Sequence, residues 1–376
     1  MQIICVTFST RIYNMFVITI IFVGLLECIC RLFFSIEDPY IGKKRIRNPY
    51  LPKDMPANAK IINRVKNSQQ IIYEMTNNYG MRGPNVSVEK LKKRVCLLGA
   101  STVAANLLER ENSIQCILEN KLGPNFEVIN AAATGHTVLD NAAHLLHRLI
   151  HLNIDYLFIF TNITDLHNMW QPATSSQKLS KLSTFDLLKM LCSQFHIYRW
   201  IHWFAFQSHK SFQIDVKIFD DGIEYIHNLT EDKANIKTRV PHDLKSFEKK
   251  ITPYSHILKA CVGMGQALQI KMFVCLQPTA WTTSMDTTIP LLWNKVGDKW
   301  LTGNNMEMIL NQRNDIIKQM CSEMSVPCLE LKVPKTSKYF YDDIHLTKEG
   351  TSCIAQQMYV QLANDSLLSE KETQGQ

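Results

Sequence analysis

Apolar residues along this chain fall into two patterns that take turns. The first is the short unbroken run: "RVCLLGA" (Arg94 to Ala100), "FEVINAA" (Phe126 to Ala132), "IDYLFIFTN" (Ile154 to Asn162), "IKMFVCLQP" (Ile270 to Pro278) and "CLELKVP" (Cys328 to Pro334). Runs of this length, rich in Val, Ile and Phe and bounded by Gly, Asn or Pro, predict strands, those buried on both faces above all. The second pattern spaces apolar residues three and four apart. It covers 103–121, with a break near Glu111-Asn112, then "TVLDNAAHLLHRLIHL" (Thr137 to Leu152) and "TKEGTSCIAQQMYVQLAN" (Thr347 to Asn364). These stretches predict helices. Strands alternating with helices predict an α/β domain whose parallel sheet is covered on both faces. Ligands of such sheets bind beyond the carboxyl ends of the strands.

Outside this alternation the pattern changes. Residues 12–34, "IYNMFVITIIFVGLLECICRLFF", are apolar without a break from Met15 to Leu26. That stretch alone is short of the ~20 residues a membrane span needs. Continuing to Phe34 reaches the length and includes Glu27 and Arg31, which are four apart and share a helix face. No small-residue cleavage site follows, so the segment reads as an uncleaved single-pass transmembrane helix rather than a signal peptide. The chain thus divides into an anchor (1–34), a polar, Asn-rich membrane-proximal arm (35–90), the α/β domain (91–366) and a polar tail (367–376). Residues 171–250 interrupt the domain as an insertion, with "HIYRWIHWF" (His196 to Phe204) at its centre.

Of the 376 residues 46% are hydrophobic, and Gly (14) and Pro (13) are scarce, which excludes a disordered chain. The net charge of +7 is concentrated in Lys43-Lys44-Arg45-Ile46-Arg47, just after the apolar segment. That position favours an anionic membrane surface over nucleic acid, and no nucleic-acid motif accompanies it. By the positive-inside rule these charges put the domain in the cytoplasm. The eleven cysteines include no CxxC pair, and several lie within apolar runs, so most read as small core residues.

Four short blocks sit at predicted strand ends: Gly99-Ala100-Ser101, "NAAATGHT" (Asn130 to Thr137), "TNITDLHN" (Thr161 to Asn168) and "YDDIHLTKEG" (Tyr341 to Gly350). Ser101 taken alone reads as a helix cap. A serine nucleophile needs a base and a carboxylate to orient that base. Asp342 and His345, separated by two residues on one loop, supply both. The backbone N–H groups of Ser101 and Gly135 are candidate oxyanion donors. Asp140, His144, His147 and His151 share a helical face, which reads as an amphipathic helix and not as a metal site. Trp281, Trp293 and Trp300 follow the Gln277-Pro278 turn and are placed to line a pocket near the sheet's carboxyl edge.

In this order and at these places, the four blocks resemble those of the SGNH/GDSL hydrolase family over about residues 75–363. "NNYGMRGPN" (Asn77 to Asn85), "EVINAAATGHT", "FVCLQPTAW" and "YDDIHLTKEG" resemble a membrane-anchored branch of it. The resemblance implies a three-layer α/β/α fold with a five-stranded parallel sheet of flavodoxin-like order. It implies a serine esterase or O-acyltransferase with Ser101 as nucleophile, Asp342 and His345 completing a catalytic triad, Gly135 in the oxyanion hole, and no metal or organic cofactor. It further implies an extracytoplasmic domain acting on a small-molecule or carbohydrate ester, with Asp165, Gln277 and Trp281 as substrate-binding candidates. Two positions depart from the family pattern. Ala100 is a tolerated small residue. Thr164 stands where the family has an asparagine that donates to the oxyanion, which leaves Thr164 or Asn162 as the side-chain donor. A non-catalytic binding or scaffold protein of the same fold is the alternative.

Overall fold

Each of the five apolar runs contributes a strand to one parallel sheet in the computed structural model, which describes residues 24–25, 55, 57–65, 71–170, 214–219, 222–227, 248–296 and 299–373. All of these except 24–25, which are helical, belong to one compact unit made of Lys44–Pro172 and Phe212–Gln376. Its strands are β1 (Lys60–Val65), β2 (Ile71–Met75), β3 (Lys93–Leu98), β4 (Phe126–Asn130), β5 (Tyr156–Phe160), β6 (Ile214–Phe219), β7 (Gly222–His227), β8 (Lys271–Leu276), β9 (Lys295–Val296), β10 (Lys299–Trp300) and β11 (Cys328–Glu330). Its α-helices are α1 (Ser101–Ala104), α2 (Ile114–Leu122), α3 (Val138–His147), α4 (Ile163–Trp170), α5 (Glu248–Ala267), α6 (Gly303–Glu323) and α7 (Lys348–Thr373).

The main sheet has the order β4-β3-β5-β8-β11, with every neighbouring pair parallel. Side chains alternate across it. Cys96, Leu98, Leu157, Ile159, Met272 and Val274 pack with Leu145 of α3, Leu258 of α5 and Ile317 of α6. Val95, Leu97, Phe158, Phe160, Phe273 and Cys275 face the other way, against Leu118 of α2 and Ile354 and Met358 of α7. Both faces are therefore dry, which explains why these strands read as continuous apolar runs. The result is the three-layer α/β/α arrangement. The chain leaves β3 for β4 on one side and then crosses to β5 on the other, so the order reverses between β3 and β5. The crevice beyond that reversal is where such sheets hold ligands.

The segment 103–121 is divided into α1, a 3-10 turn at Arg110–Asn112 and α2, with the interruption at the expected place. The arm and the insertion each contribute a hairpin to a second sheet of order β2-β1-β7-β6, in which β1 and β7 pair in parallel. Pairing across some 160 residues leaves no local signal, so each half looked irregular by itself. At the carboxyl end, α7 runs on through Thr373 because nothing from Leu367 to Thr373 is a Gly or Pro. Among the described residues no helix is long and apolar enough to cross a membrane. The anchor expected at 12–34, apart from residues 24–25, and "HIYRWIHWF" lie outside the described residues.

At the amino edge of the sheet, Arg94 is 1% exposed. Its guanidinium donates to Glu127 Oε2 (2.7 Å) and to the carbonyls of Leu152 (2.7 Å), Ser87 (2.6 Å) and Glu89 (3.1 Å). Replacing it leaves four acceptors unmet in a buried place. Arg94→Ala is expected to lower unfolding stability by about 3 kcal/mol. Lys90→Ala, which breaks an exposed pair with Asp155, is expected to change it by less than about 1 kcal/mol. Urea denaturation measures both; equal effects would contradict this reading of the edge.

Candidate active site

The carboxyl end of β3 turns sharply into α1, and this turn presents Ser101. The N-cap of α1 is Ala100, which makes no side-chain capping bond. Ser101 is thus not the helix cap that its position alone indicated. Its Oγ lies 2.7 Å from Nε2 of His345. Nδ1 of His345 lies 2.6 Å from Oδ2 of Asp342. The three residues form one hydrogen-bonded chain from the first strand of the sheet to the loop before α7.

Asp342 is 1% exposed. Burial pushes its carboxyl up, but His345 and two loop N–H groups more than offset this and hold it below the usual carboxylate range. Those groups are the N–H of Ile344 and of His345, at 2.9 and 2.7 Å from Oδ1. The imidazole is fixed from two more directions. The Tyr341 ring stacks on it (5.5 Å between centroids, 8° between planes), and Trp293 meets it edge-on (5.4 Å, 79°). Burial, and then the charge of Asp342, keep the Tyr341 phenol protonated far above its ordinary range.

The loop that carries Asp342 and His345 is closed by its own backbone. Tyr341 N–H donates to the His345 carbonyl at 3.1 Å, and Thr347 N–H to that of Tyr339 at 3.0 Å. Gly350 is required just beyond it, because a Cβ there would meet the Tyr339 oxygen at 2.3 Å. Thr102 ties this loop to the nucleophile turn: its hydroxyl donates to the Ile344 carbonyl (3.2 Å) and accepts from Gln277 Nε2 (2.8 Å).

The remaining site residues divide. Gly135 lies in a turn before α3 with φ at +72°, a left-handed conformation that favours glycine. Thr164 is half-buried in the first turn of α4. Asn162 is 1% exposed, and neither polar atom of its amide has a hydrogen-bond partner. The three substrate-binding candidates have other work. Asp165 accepts the Val138 N–H (3.0 and 3.1 Å) at the amino end of α3. Gln277 spends its amide on Thr102 and its backbone N–H on Thr161 Oγ1. Trp281 is fully buried and donates its indole N–H to Asp343 (2.9 Å).

Other residues hold the site and were not singled out from sequence. Arg82, 4% exposed, donates to the carbonyls of Ala104 and Ala105, where α1 ends, at 2.7 and 2.6 Å, and to that of Leu108 at 2.7 Å. Arg313 of α6 is fully buried and donates to the Asn162 carbonyl (3.0 Å) and to Thr161 Oγ1 (3.2 Å), which fixes the end of β5. Its signal lay in the helix period: Met306, Ile309, Arg313 and Ile317 share one face, so a lone Arg there must find polar partners inside. On α3, Asp140 closes a capping box with Thr137, and His144 packs edge-on against His136, with ring centroids 4.8 Å apart.

No protein-family model matches the chain, and no curated protein matches it. Solved structures similar to it include the acetyl xylan esterase AlAXEase, with 13% identity over 71% of this chain and 98% of that one at a TM-score of 0.40. A lipolytic protein of the G-D-S-L family from Desulfitobacterium hafniense has 12% identity over 71% and 98%, at a TM-score of 0.38. A lipase/acylhydrolase from Enterococcus faecalis has 9% identity over 73% and 96%, at 0.40.

His144 sits behind the Gly135 turn, 4% exposed, with both ring nitrogens unpartnered. Burial, then the charges of His136 and Arg148, hold its pKa well below the ordinary histidine range. A histidine depressed in the folded state contributes stability that is present above its unfolded value of about 6.5 and is lost as pH falls. His144→Leu is therefore expected to stabilise the protein relative to wild type, by more at pH 5 than at pH 7.5. Urea midpoints at the two pH values check this; a pH-independent difference would contradict it.

Proposed function

We propose that this protein is a serine esterase of SGNH/GDSL type that hydrolyses or transfers an ester-linked acyl group. The observation that carries this reading is the continuous Ser101–His345–Asp342 hydrogen-bond chain at the sheet's reversal point, with 2.7 and 2.6 Å contacts. Ser101 Oγ attacks the ester carbonyl while its proton passes to His345 Nε2. Asp342 holds Nδ1–H and so fixes the tautomer that leaves Nε2 free to accept. The tetrahedral oxyanion takes N–H donors from Ser101 and Gly135. His345 then returns the proton to the departing alkoxide, and water or an acceptor hydroxyl releases the acyl group from Ser101 by the same steps.

The third oxyanion donor is assigned to Asn162 rather than Thr164. A buried amide with neither atom paired is uncommon in a folded protein and marks a group whose partner is still to come. The departure at Thr164 favours the second reading, a non-catalytic binding protein of this fold. With the esterase reading go three finer proposals, the first and last resting on the sequence resemblance and the second on the apolar run from Met15 to Leu26. They are a carbohydrate ester as substrate, an anchor at 12–34, and an extracytoplasmic domain, against which the positive charges after the anchor argue. A topology reporter fused after Gln376 reads the side of the membrane.

Turnover of p-nitrophenyl acetate tests the chemistry. Ser101→Ala and His345→Ala are each expected to lose at least about 1,000-fold in kcat/KM. Asn162→Ala is expected to lose about 100-fold in kcat, the worth of one oxyanion donor, and Thr164→Ala much less. Wild-type turnover no faster than that of Ser101→Ala would establish the non-catalytic reading.

A further inference from the structure

Next to the Asp342 carboxylate lies a second buried one. Asp343 is fully buried, and among the described residues no Lys, Arg or His pairs with it. Its partners are N–H donors from one loop. Trp281 Nε1 donates to Oδ2 at 2.9 Å, Leu292 N–H to Oδ1 at 3.0 Å, and Trp293 N–H to Oδ2 and Oδ1 at 3.0 and 3.2 Å. The backbone of Asp343 adds two more bonds, donating to the Pro290 carbonyl (3.1 Å) and accepting from Ala280 N–H (2.9 Å). One residue thereby grips both ends of the 280–293 segment.

The grip has a consequence for the hydrogen-bonded chain beside it. Trp293 places its indole Nε1–H 3.2 Å from Asp342 Oδ2, the oxygen that also takes His345 Nδ1–H. Its ring simultaneously stands edge-on against the imidazole. Asp342 thus has four donors, two on each oxygen, and one of them comes from outside its own loop. We propose that Trp293 is a positioning residue for the Asp342–His345 pair and that Asp343 is the residue that sets Trp293 in place. This rests on the esterase reading above.

The physical reasons are two. An indole N–H on Oδ2 fixes the carboxylate plane, so His345 Nδ1 meets one orientation instead of a rotating pair of oxygens. The edge of the indole also blocks the imidazole from swinging away from Ser101. Only a carboxylate can accept from three separate N–H groups at this point; an amide would turn an N–H against donors. Burial and the charge of Asp342 push the Asp343 carboxyl up, the surrounding N–H groups draw it back, and the net result is a rise to about 7.

The test separates this inference from the reading under it. The second-order rate of fluorophosphonate labelling reports activation of the serine, and p-nitrophenyl acetate hydrolysis separates kcat from KM. Trp293→Phe keeps a ring and removes the N–H. It is expected to lower kcat and the labelling rate by about 10- to 100-fold, the worth of one hydrogen bond to a charged group, with KM within about twofold. Asp343→Asn is expected to lower both rates at least as far. If Trp293→Phe does not fold, β-(3-benzothienyl)alanine at position 293 keeps the shape of the indole without its N–H and is expected to give the same loss. A wild type that reacts with neither reagent overturns the esterase reading, and this inference falls with it. A reactive wild type with an equally reactive, folded Trp293 variant overturns this inference alone.

Discussion

A carboxylate removed from water must find hydrogen-bond donors, and the site is organised around meeting that requirement for Asp342. Burial by itself would protonate the group and leave His345 without an anionic partner. The imidazole and two N–H groups of its own loop reverse that tendency. Because the two loop donors come from Ile344 and His345, the same bonds that keep the carboxylate ionised also shape the turn carrying the histidine. The shape of the turn then sets where Nε2 meets Ser101. Electrostatics, loop conformation and the alignment of the relay are one constraint here.

That constraint would be useless if Ser101 were free to move, and the fold removes the freedom from three sides. Arg82 closes the carbonyls where α1 ends, Thr102 bonds to the histidine loop, and Gln277 joins the ends of β8 and β3. Arg313 does the same for β5, where Asn162 stands. Each of these is a buried polar side chain that hydrogen-bonds a turn, loop or helix end beside the site, and each would carry a desolvation penalty without those partners. The dry, continuous sheet holds the strand ends in register; the polar struts fix the turns beyond them.

The parts of this arrangement readable from sequence are those governed by local pattern. Five apolar runs gave the strands, and the break at Glu111-Asn112 marked where α1 and α2 part. The Asp342–His345 spacing was also legible, since two residues on one loop need no long-range information. What the sequence did not show depends on contacts between distant segments. The pairing of β1 with β7 is of this kind, as is the reach of Arg82 across to Ala104 and Ala105. Gln277, Asp165 and Trp281 stood near strand ends and so looked like binding residues. The structure turns all three inward, where they satisfy a hydroxyl, a helix end and a carboxylate. Position beside a site is visible in a sequence; the direction of a side chain is not.

The central claim is that Ser101 is a nucleophile activated by His345. Peptide mass mapping after treatment of the full chain with a fluorophosphonate tests it most directly. The account predicts one phosphonyl adduct, on the peptide carrying Ser101, that disappears in His345→Ala. An unmodified Ser101 peptide, or an adduct that forms equally without His345, would contradict it.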